Sequence, residues 1–310
     1  MNELELIRLL TESLPGNEAV VTGAGDDCAV LDLGVPGKFL LFKTDAVVAG
    51  VHFTGETPPE KIGRKALARC LSDIAAMAGT PTAALVTLAL PRGFDPKFVE
   101  AIYAGMNDLA RHYHVAIVGG ETTVNPERML LSVALLGTVA RDKCLRRSGS
   151  RPGDALFVSG QLGGSIAGHH LNFEPRLAEA RWLAEHFAIH AMIDVSDGLA
   201  SDLRHLLEAG NLGAVLLKTA IPISRAAKLQ AKAESSAKPP LLAALTDGED
   251  FELLFTVASR DAVRLLDAWK KQFPDAPLAC IGKITAEPGV KLRDKDGLKP
   301  MPTHGYVHFA

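Results

Sequence analysis

Stretches with helical periodicity alternate with short, strand-like apolar runs along the whole 310-residue chain, and this confines it to a mixed α/β architecture. An amphipathic helix carrying Leu4, Ile7, Leu9 and Leu10 leads into a Gly- and Asp-rich loop at 23–27. Strands are expected at 28–33 and 39–43, split by the turn residues Gly34-Val35-Pro36-Gly37. A helix at about 60–78 stops at Gly79-Thr80-Pro81. A strand at 84–90, a helix at about 96–113, a short strand ending at Gly119-Gly120 and a strand at 129–139 complete a first domain, 1–145. The basic, breaker-rich segment 146–154 reads as a linker to a second domain, 146–310. That domain opens on a strand at 155–159, and strands at 191–194, near Val215 and at 251–257 follow. Helices are expected up to Trp182, from Asp197 and from Ser259, and 230–240 reads as a surface excursion.

Several function classes are disfavoured. The net charge is −3 and no Lys/Arg stripe interleaves with aromatics, which argues against a nucleic-acid partner. Cys28, Cys70, Cys144 and Cys280 are widely separated, with no CxxC pair, so neither a disulfide framework nor a zinc site is expected. No apolar run approaches the roughly 18–20 residues of a membrane span, and the acidic N-terminus does not suit a signal peptide. A soluble, cytoplasmic protein is the expectation.

The chemistry-bearing pattern is a series of acids beside Gly, Ser or Thr, read as lying at element ends. They are Asp26-Asp27, Asp45, Asp73, Glu121, Asp194, Asp197 and Glu249-Asp250. Carboxylates at such turns suit Mg²⁺, which takes oxygen ligands and leaves room for phosphates. Each also has a structural reading, since Asp and Gly are common turn residues. Asp197 would serve equally at a helix start with Ser196 as N-cap. Asp73, on a buried helical stretch, needs a partner, either Arg69 or a metal. His52 and Tyr103 are by default structural. No GxxxxGK[ST] loop, GxGxxG fingerprint or protein-kinase catalytic motif is present. These residues alone lead to an acid-rich α/β protein suited to Mg²⁺ and phosphate.

Seven motifs in order go further: Gly25-Asp26-Asp27, Thr44-Asp45 with His52-Phe53, Leu71-Ser72-Asp73, Gly119-Gly120-Glu121, Ser148 to Asp154, Asp194-Val195-Ser196-Asp197-Gly198, and Gly248-Glu249-Asp250-Phe251. With Gly305-Tyr306 near the end, the chain resembles the thiamine-monophosphate kinase family over nearly its whole length. The resemblance implies the aminoimidazole ribonucleotide synthetase-like fold, with N-terminal sheets pairing across a homodimer and ATP near the interface. It also implies transfer of the γ-phosphoryl of ATP to the phosphate of thiamine monophosphate, giving thiamine diphosphate and ADP. Within it, residues 1–145 would bind ATP and Mg²⁺ and dimerise, and 146–310 would complete the active site. Asp27, Thr44, Asp45, Asp73, Glu121, Asp194 and Asp197 would hold Mg²⁺, with Asp45, Asp73 and Asp197 central to catalysis. Tyr103, Gly120, Glu121, Arg147 and Ser196 would contact ATP, and His52, Glu249 and Tyr306 the thiamine monophosphate. Three residues depart from the family pattern: Lys43 replaces a Ser or Thr, Glu121 an Asp, and Asp247 a Gly. The Lys43 ammonium either replaces part of a metal's charge or points away. Another ATP-using member of the superfamily and a catalytically silent thiamine-phosphate binder are the alternatives.

Overall fold

The computed structural model describes residues 3–233 and 237–301. Tyr306 therefore lies outside the described residues. The first half contains α1 (Glu3–Thr11), β1 (Val20–Thr22), β2 (Ala29–Leu31), β3 (Lys38–Val48), α2 (Pro59–Ala76), β4 (Thr80–Leu90), α3 (Pro96–His112), β5 (Ala116–Val124) and β6 (Leu130–Ala140). Its strands form one sheet in the order β1-β2-β3-β6-β4-β5, antiparallel except for β4 with β5.

Alternation along these strands decides what faces what. In β6, Leu131, Val133 and Leu135 are buried towards the helices, whereas Leu130, Ser132, Ala134 and Leu136 stay partly exposed. Phe42 and Leu85, paired with Leu136 and Ala134, belong to the same open face and are 45% and 49% exposed. On the covered face, α2 and α3 cross with their backbones almost touching. A Cβ on Gly63 would lie 1.8 Å from the Ile102 carbonyl oxygen, and one on Gly105 1.9 Å from that of Glu60. Two glycines, one on each helix, are what this crossing requires. The α1 helix forms as expected, but Ile7, Leu9 and Leu10 remain exposed.

The second half contains β7 (Ala155–Ser159), α4 (His169–Asn172), α5 (Leu177–His186), β8 (Ile189–Asp194), α6 (Leu199–Glu208), β9 (Gly213–Leu217), α7 (Arg225–Ala233), α8 (Pro240–Thr246), β10 (Leu253–Val257), α9 (Ala262–Gln272), β11 (Leu278–Thr285), β12 (Gly289–Asp294) and β13 (Gly297–Pro300). Its sheet runs β13-β12-β9-β11-β7-β10-β8. The β12–β13 hairpin has no counterpart in the expectations from sequence. Central strands β7 and β10 are buried on both faces and are correspondingly apolar, broken only by the buried Ser159 and Thr256. Phe157 and Phe255 stack 5.5 Å apart on one face, while Leu156, Val158 and Leu254 fill the other. The first face belongs to a core that continues into the N-terminal half through Ile62, Leu67 and Leu71 of α2. One apolar core thus spans both sheets, and α2 is the element that reaches across.

Candidate active site

Three carboxylates meet at the junction of the halves. Asp27 precedes β2, Asp73 lies on α2, and Asp194 ends β8; all are buried, and one oxygen of each lies within 4.8 Å of the others. Arg147 holds Asp27 through Nη2 at 2.6 Å and Nε at 3.1 Å, both donating to Oδ1, and its amide donates to Asp26. Ser72 Oγ donates to Asp194 at 2.5 Å. Asp73 is held by Lys43, whose Nζ is 2.8 Å from Oδ1 and 3.9 Å from Asp45. Arg69, the partner offered by sequence spacing, leans instead towards Asp45, at 3.9 Å.

The position of Asp45 differs from the expectation. Its strand does not stop at Lys43 but continues to Val48, paired with β6 throughout. Lys43 and Asp45 therefore share a face with buried Leu41 and Val47 and turn towards α2. Thr44 points the other way, its hydroxyl 3.2 Å from that of Ser132 on the open face. Strand β5 likewise runs on through Gly119-Gly120-Glu121, and Glu121 pairs with Thr87, itself opposite Ser132. Thr44 and Glu121 thus lie on the open face, apart from the three buried acids. Gly120 sits at φ +155°, where a Cβ would lie 1.8 Å from the Val86 carbonyl oxygen. Tyr103 is on α3 and packs against the core; burial raises its phenol above the ordinary range.

Beside the acids lies a cleft of about 270 Å³, lined by His52 and Arg69 from the first half and by Ser196, Asp197, Glu249 and Phe251 from the second, among others. Its far wall is the loop 247–251. The Glu249 amide donates to Ser196 O and the Phe251 amide to Val195 O, both at 2.7 Å. Asp250 accepts from the Gly163 amide and Asp247 from that of Gly164. This pinning holds Glu249 and Phe251 at φ 64° and 51°, left-handed conformations that non-glycine residues avoid. Asp247 is therefore a loop lock, further held by Lys238 at 2.8 Å.

Lys65, one turn before Arg69 on α2, was missed by the sequence reading. Only 1% exposed, it donates to Glu249 at 2.7 Å and to the His52 carbonyl at 2.8 Å, joining both walls of the cleft. Its i, i+4 spacing to Arg69 was the available signal. Asp202 was missed as well: it is buried on α6 and accepts the Asp197 amide at 3.1 Å. The α6 helix begins at Leu199 with Gly198 as N-cap, so Ser196 and Asp197 precede the helix and are not its cap.

The electrostatics are those of crowded acids. Burial pushes Asp194 up to about 7, and the charge of Asp27 adds to this. Burial and Asp27 also push Asp26 up to about 6. Asp73 is raised by burial despite the opposing pull of Lys43. Burial works against the Lys43 ammonium, but Asp73 and Asp45 outweigh it and hold its pKa above the ordinary value. Among the described residues, Asp27 Oδ2 is buried with no hydrogen-bond partner. An all-oxygen donor set with one unsatisfied carboxylate oxygen fits a hard divalent cation held by Asp27, Asp73 and Asp194.

Comparison with known proteins gives a consistent result. Residues 25–139 match the N-terminal domain, and 151–295 the C-terminal domain, of AIR synthase related proteins. Thiamine-monophosphate kinase of Rhodopirellula baltica is 40% identical over 94% of this chain and 90% of its own. The Escherichia coli K12 enzyme of the same name is 35% identical over 94% and 93%. Among solved structures, AaThiL complexed with AMPPCP and TMP superposes with a TM-score of 0.83 at 30% identity, covering 99% of this chain and 97% of that one. No helix among the described residues is long and apolar enough to cross a membrane. By both domain matches and by identity over nearly its full length, the chain belongs to the thiamine-monophosphate kinase family.

Proposed function

We propose that this chain transfers the γ-phosphoryl group of ATP to the phosphate of thiamine monophosphate, forming thiamine diphosphate and ADP. The observation that carries the reading is the adjacency of a buried three-carboxylate cluster to a cleft with a carboxylate wall, in a chain of this family. An oxygen of the acceptor phosphate forms the new P–O bond as the bond between the γ-phosphorus and the β–γ bridging oxygen breaks, and the electron pair leaves with ADP. The acceptor is already an anion, so no strong general base is required and positioning does most of the work.

The residues divide the task by charge. Glu249 and His52 would receive the thiamine end, where a carboxylate suits a cationic ring, and Phe251, buried and stacked on Phe173, backs the wall beside them. Arg69, whose Nε is buried without a hydrogen-bond partner, would hold the acceptor phosphate in the same cleft. Asp27, Asp73 and Asp194, with Asp45 and Asp197 alongside, would hold Mg²⁺ at the phosphates; when bound, Mg²⁺ neutralises their charge and orients the transferring group. Arg147 fixes the Asp27 carboxylate, and Ser196 lies at the cleft edge for a nucleotide contact.

The same reading includes a homodimer. The open sheet face exposes Phe42 and Leu85, and a second copy packed there would bring its surface over Thr44, Gly120 and Glu121. Contacts of Gly120, Glu121 and Tyr103 with ATP, and of Thr44 and Glu121 with Mg²⁺, would then belong to the assembled pair.

The test is incubation of the purified protein with ATP, Mg²⁺ and thiamine monophosphate, with and without EDTA, followed by chromatography. Equal amounts of thiamine diphosphate and ADP, lost with EDTA, are expected. Binding of thiamine monophosphate without turnover would replace the reading by that of a silent binder.

A further inference from the structure

Lys43 divides the acidic site into two regions of different charge. On its side, Asp45 and Asp73 face two side-chain cations: the Lys43 ammonium, 2.8 Å from Asp73 and 3.9 Å from Asp45, and the Arg69 guanidinium, 3.9 Å from Asp45. Two carboxylates are thus met by two cations. Across from it, Asp26 and Asp27 accept hydrogen bonds from Arg147 and Asp194 accepts one from Ser72, and among the described residues Asp27 Oδ2 is buried without a partner. The unsatisfied oxygen is on the second side, where Asp27 and Asp194 lie with an Asp73 oxygen within 4.8 Å of theirs. On the first, the space a divalent ion would need to bridge Asp45 and Asp73 is where the ammonium already stands.

Lys43 is held there by its strand. It lies in the middle of β3, opposite Leu135 of β6, between Leu41 and Val47 on the face turned to α2. Backbone pairing fixes the face on which Lys43 lies, and its side chain reaches Asp73 from there. A point charge on a flexible stem, lysine can stand in for an ion but not release itself into solvent.

We propose that the Lys43 ammonium is a built-in cation that takes the place of a divalent ion between Asp45 and Asp73, so that this chain assembles its phosphoryl-transfer site with one exchangeable ion fewer than its carboxylates would otherwise take. This rests on the kinase reading for its consequence, but the ion count does not require turnover.

The experiment is equilibrium dialysis of Mn²⁺ against the full chain with a non-hydrolysable ATP analogue, for the wild type, Lys43→Thr and Lys43→Arg. Melting temperatures confirm folding. Lys43→Thr is expected to bind one more Mn²⁺ per chain than the wild type, and Lys43→Arg the same number as the wild type. Equal counts for the wild type and Lys43→Thr, or a lower count in a folded Lys43→Thr, would overturn the proposal. Should Lys43→Thr fail to fold, anomalous scattering from Mn²⁺-loaded wild-type crystals decides. Nζ on Asp73 with no Mn²⁺ bridging Asp45 and Asp73 supports the inference, and a Mn²⁺ peak between them defeats it. Thiamine diphosphate formation by the wild type, measured separately, tests the kinase reading alone.

Discussion

Asp26 and Asp194 show what the crowding of acids does to single residues. Both are raised from the ordinary 3.8, to about 6 and about 7, so the folded chain retains protons that the unfolded chain has already released. Their contribution to stability is therefore fully present below the unfolded values and is lost as pH rises through about 6 to 7. Without divalent ions, the melting temperature should fall on going from about pH 5.5 to about pH 8. Mg²⁺ should restore it more at the alkaline end; an equal Mg²⁺ shift at both pH values, read by scanning fluorimetry, would contradict this. Lys65 and Glu249 form an asymmetric pair, one buried and the other 25% exposed at its side chain. Glu249→Ala leaves a buried ammonium without its anion and should cost about 3 kcal/mol, whereas Lys65→Met leaves a carboxylate that water can reach and should cost about 1 kcal/mol. Urea denaturation of the two variants measures the order, and a reversed order would mean that the His52 carbonyl, and not Glu249, carries most of the compensation for the buried Lys65 ammonium. Most of the acids were legible in the sequence because a carboxylate beside Gly, Ser or Thr stands out as a letter, although Asp202, beside Ser201, was passed over. Their pairing was not: which cation meets Asp73 depends on which face of β3 Lys43 occupies.

At the scale of elements, α2 and α3 depend on Gly63 and Gly105. Gly105→Ala would place a methyl group 1.9 Å from the Glu60 carbonyl oxygen, far inside van der Waals contact, and force the helices apart, at a cost of about 3 kcal/mol or more. Gly16→Ala, where the added carbon meets nothing within 4 Å, should be neutral within about 0.5 kcal/mol. Comparable melting temperatures for the two variants would mean that the crossing relaxes easily. Helix and strand types were readable from periodicity, as with α3 and β6. Strand ends were less so. Gly and Pro were taken as breakers at Gly79-Thr80-Pro81 and Gly119-Gly120, yet β4 starts at Thr80 and β5 passes through both glycines. Pairing with a neighbouring strand outweighed local propensity in both places. The run of β5 through both glycines, with the continuation of β3 beyond Lys43, puts Glu121 and Thr44 on the open face of the sheet, apart from the three buried acids.

At the scale of the whole molecule, the open face of the first sheet is the largest question the chain poses to a partner. Replacing Phe42 and Leu85 together by Lys should leave the covered core intact and convert a dimer to a monomer in sedimentation velocity, with loss of ATP turnover. A monomeric wild type would remove the dimer from the reading. Two α/β halves were legible in the alternating pattern, but the core they share was not. Periodicity reports which face of an element is apolar, and not that Leu71 of α2 and Phe157 of β7 belong to the same interior. The helix α2 gives that shared interior a further meaning. Lys65, Arg69 and Asp73 follow one another at intervals of four residues, so one side of a single helix runs from the carboxylate wall of the cleft to the buried acids. Eight residues of helix span about 12 Å. In the proposed reaction the helix would be a ruler: hydrogen-bonded backbone would set the separation between where a substrate's ring is gripped and where its phosphate reacts, and ligands a few ångströms too long or too short would fail by misplacement even when both ends are chemically acceptable.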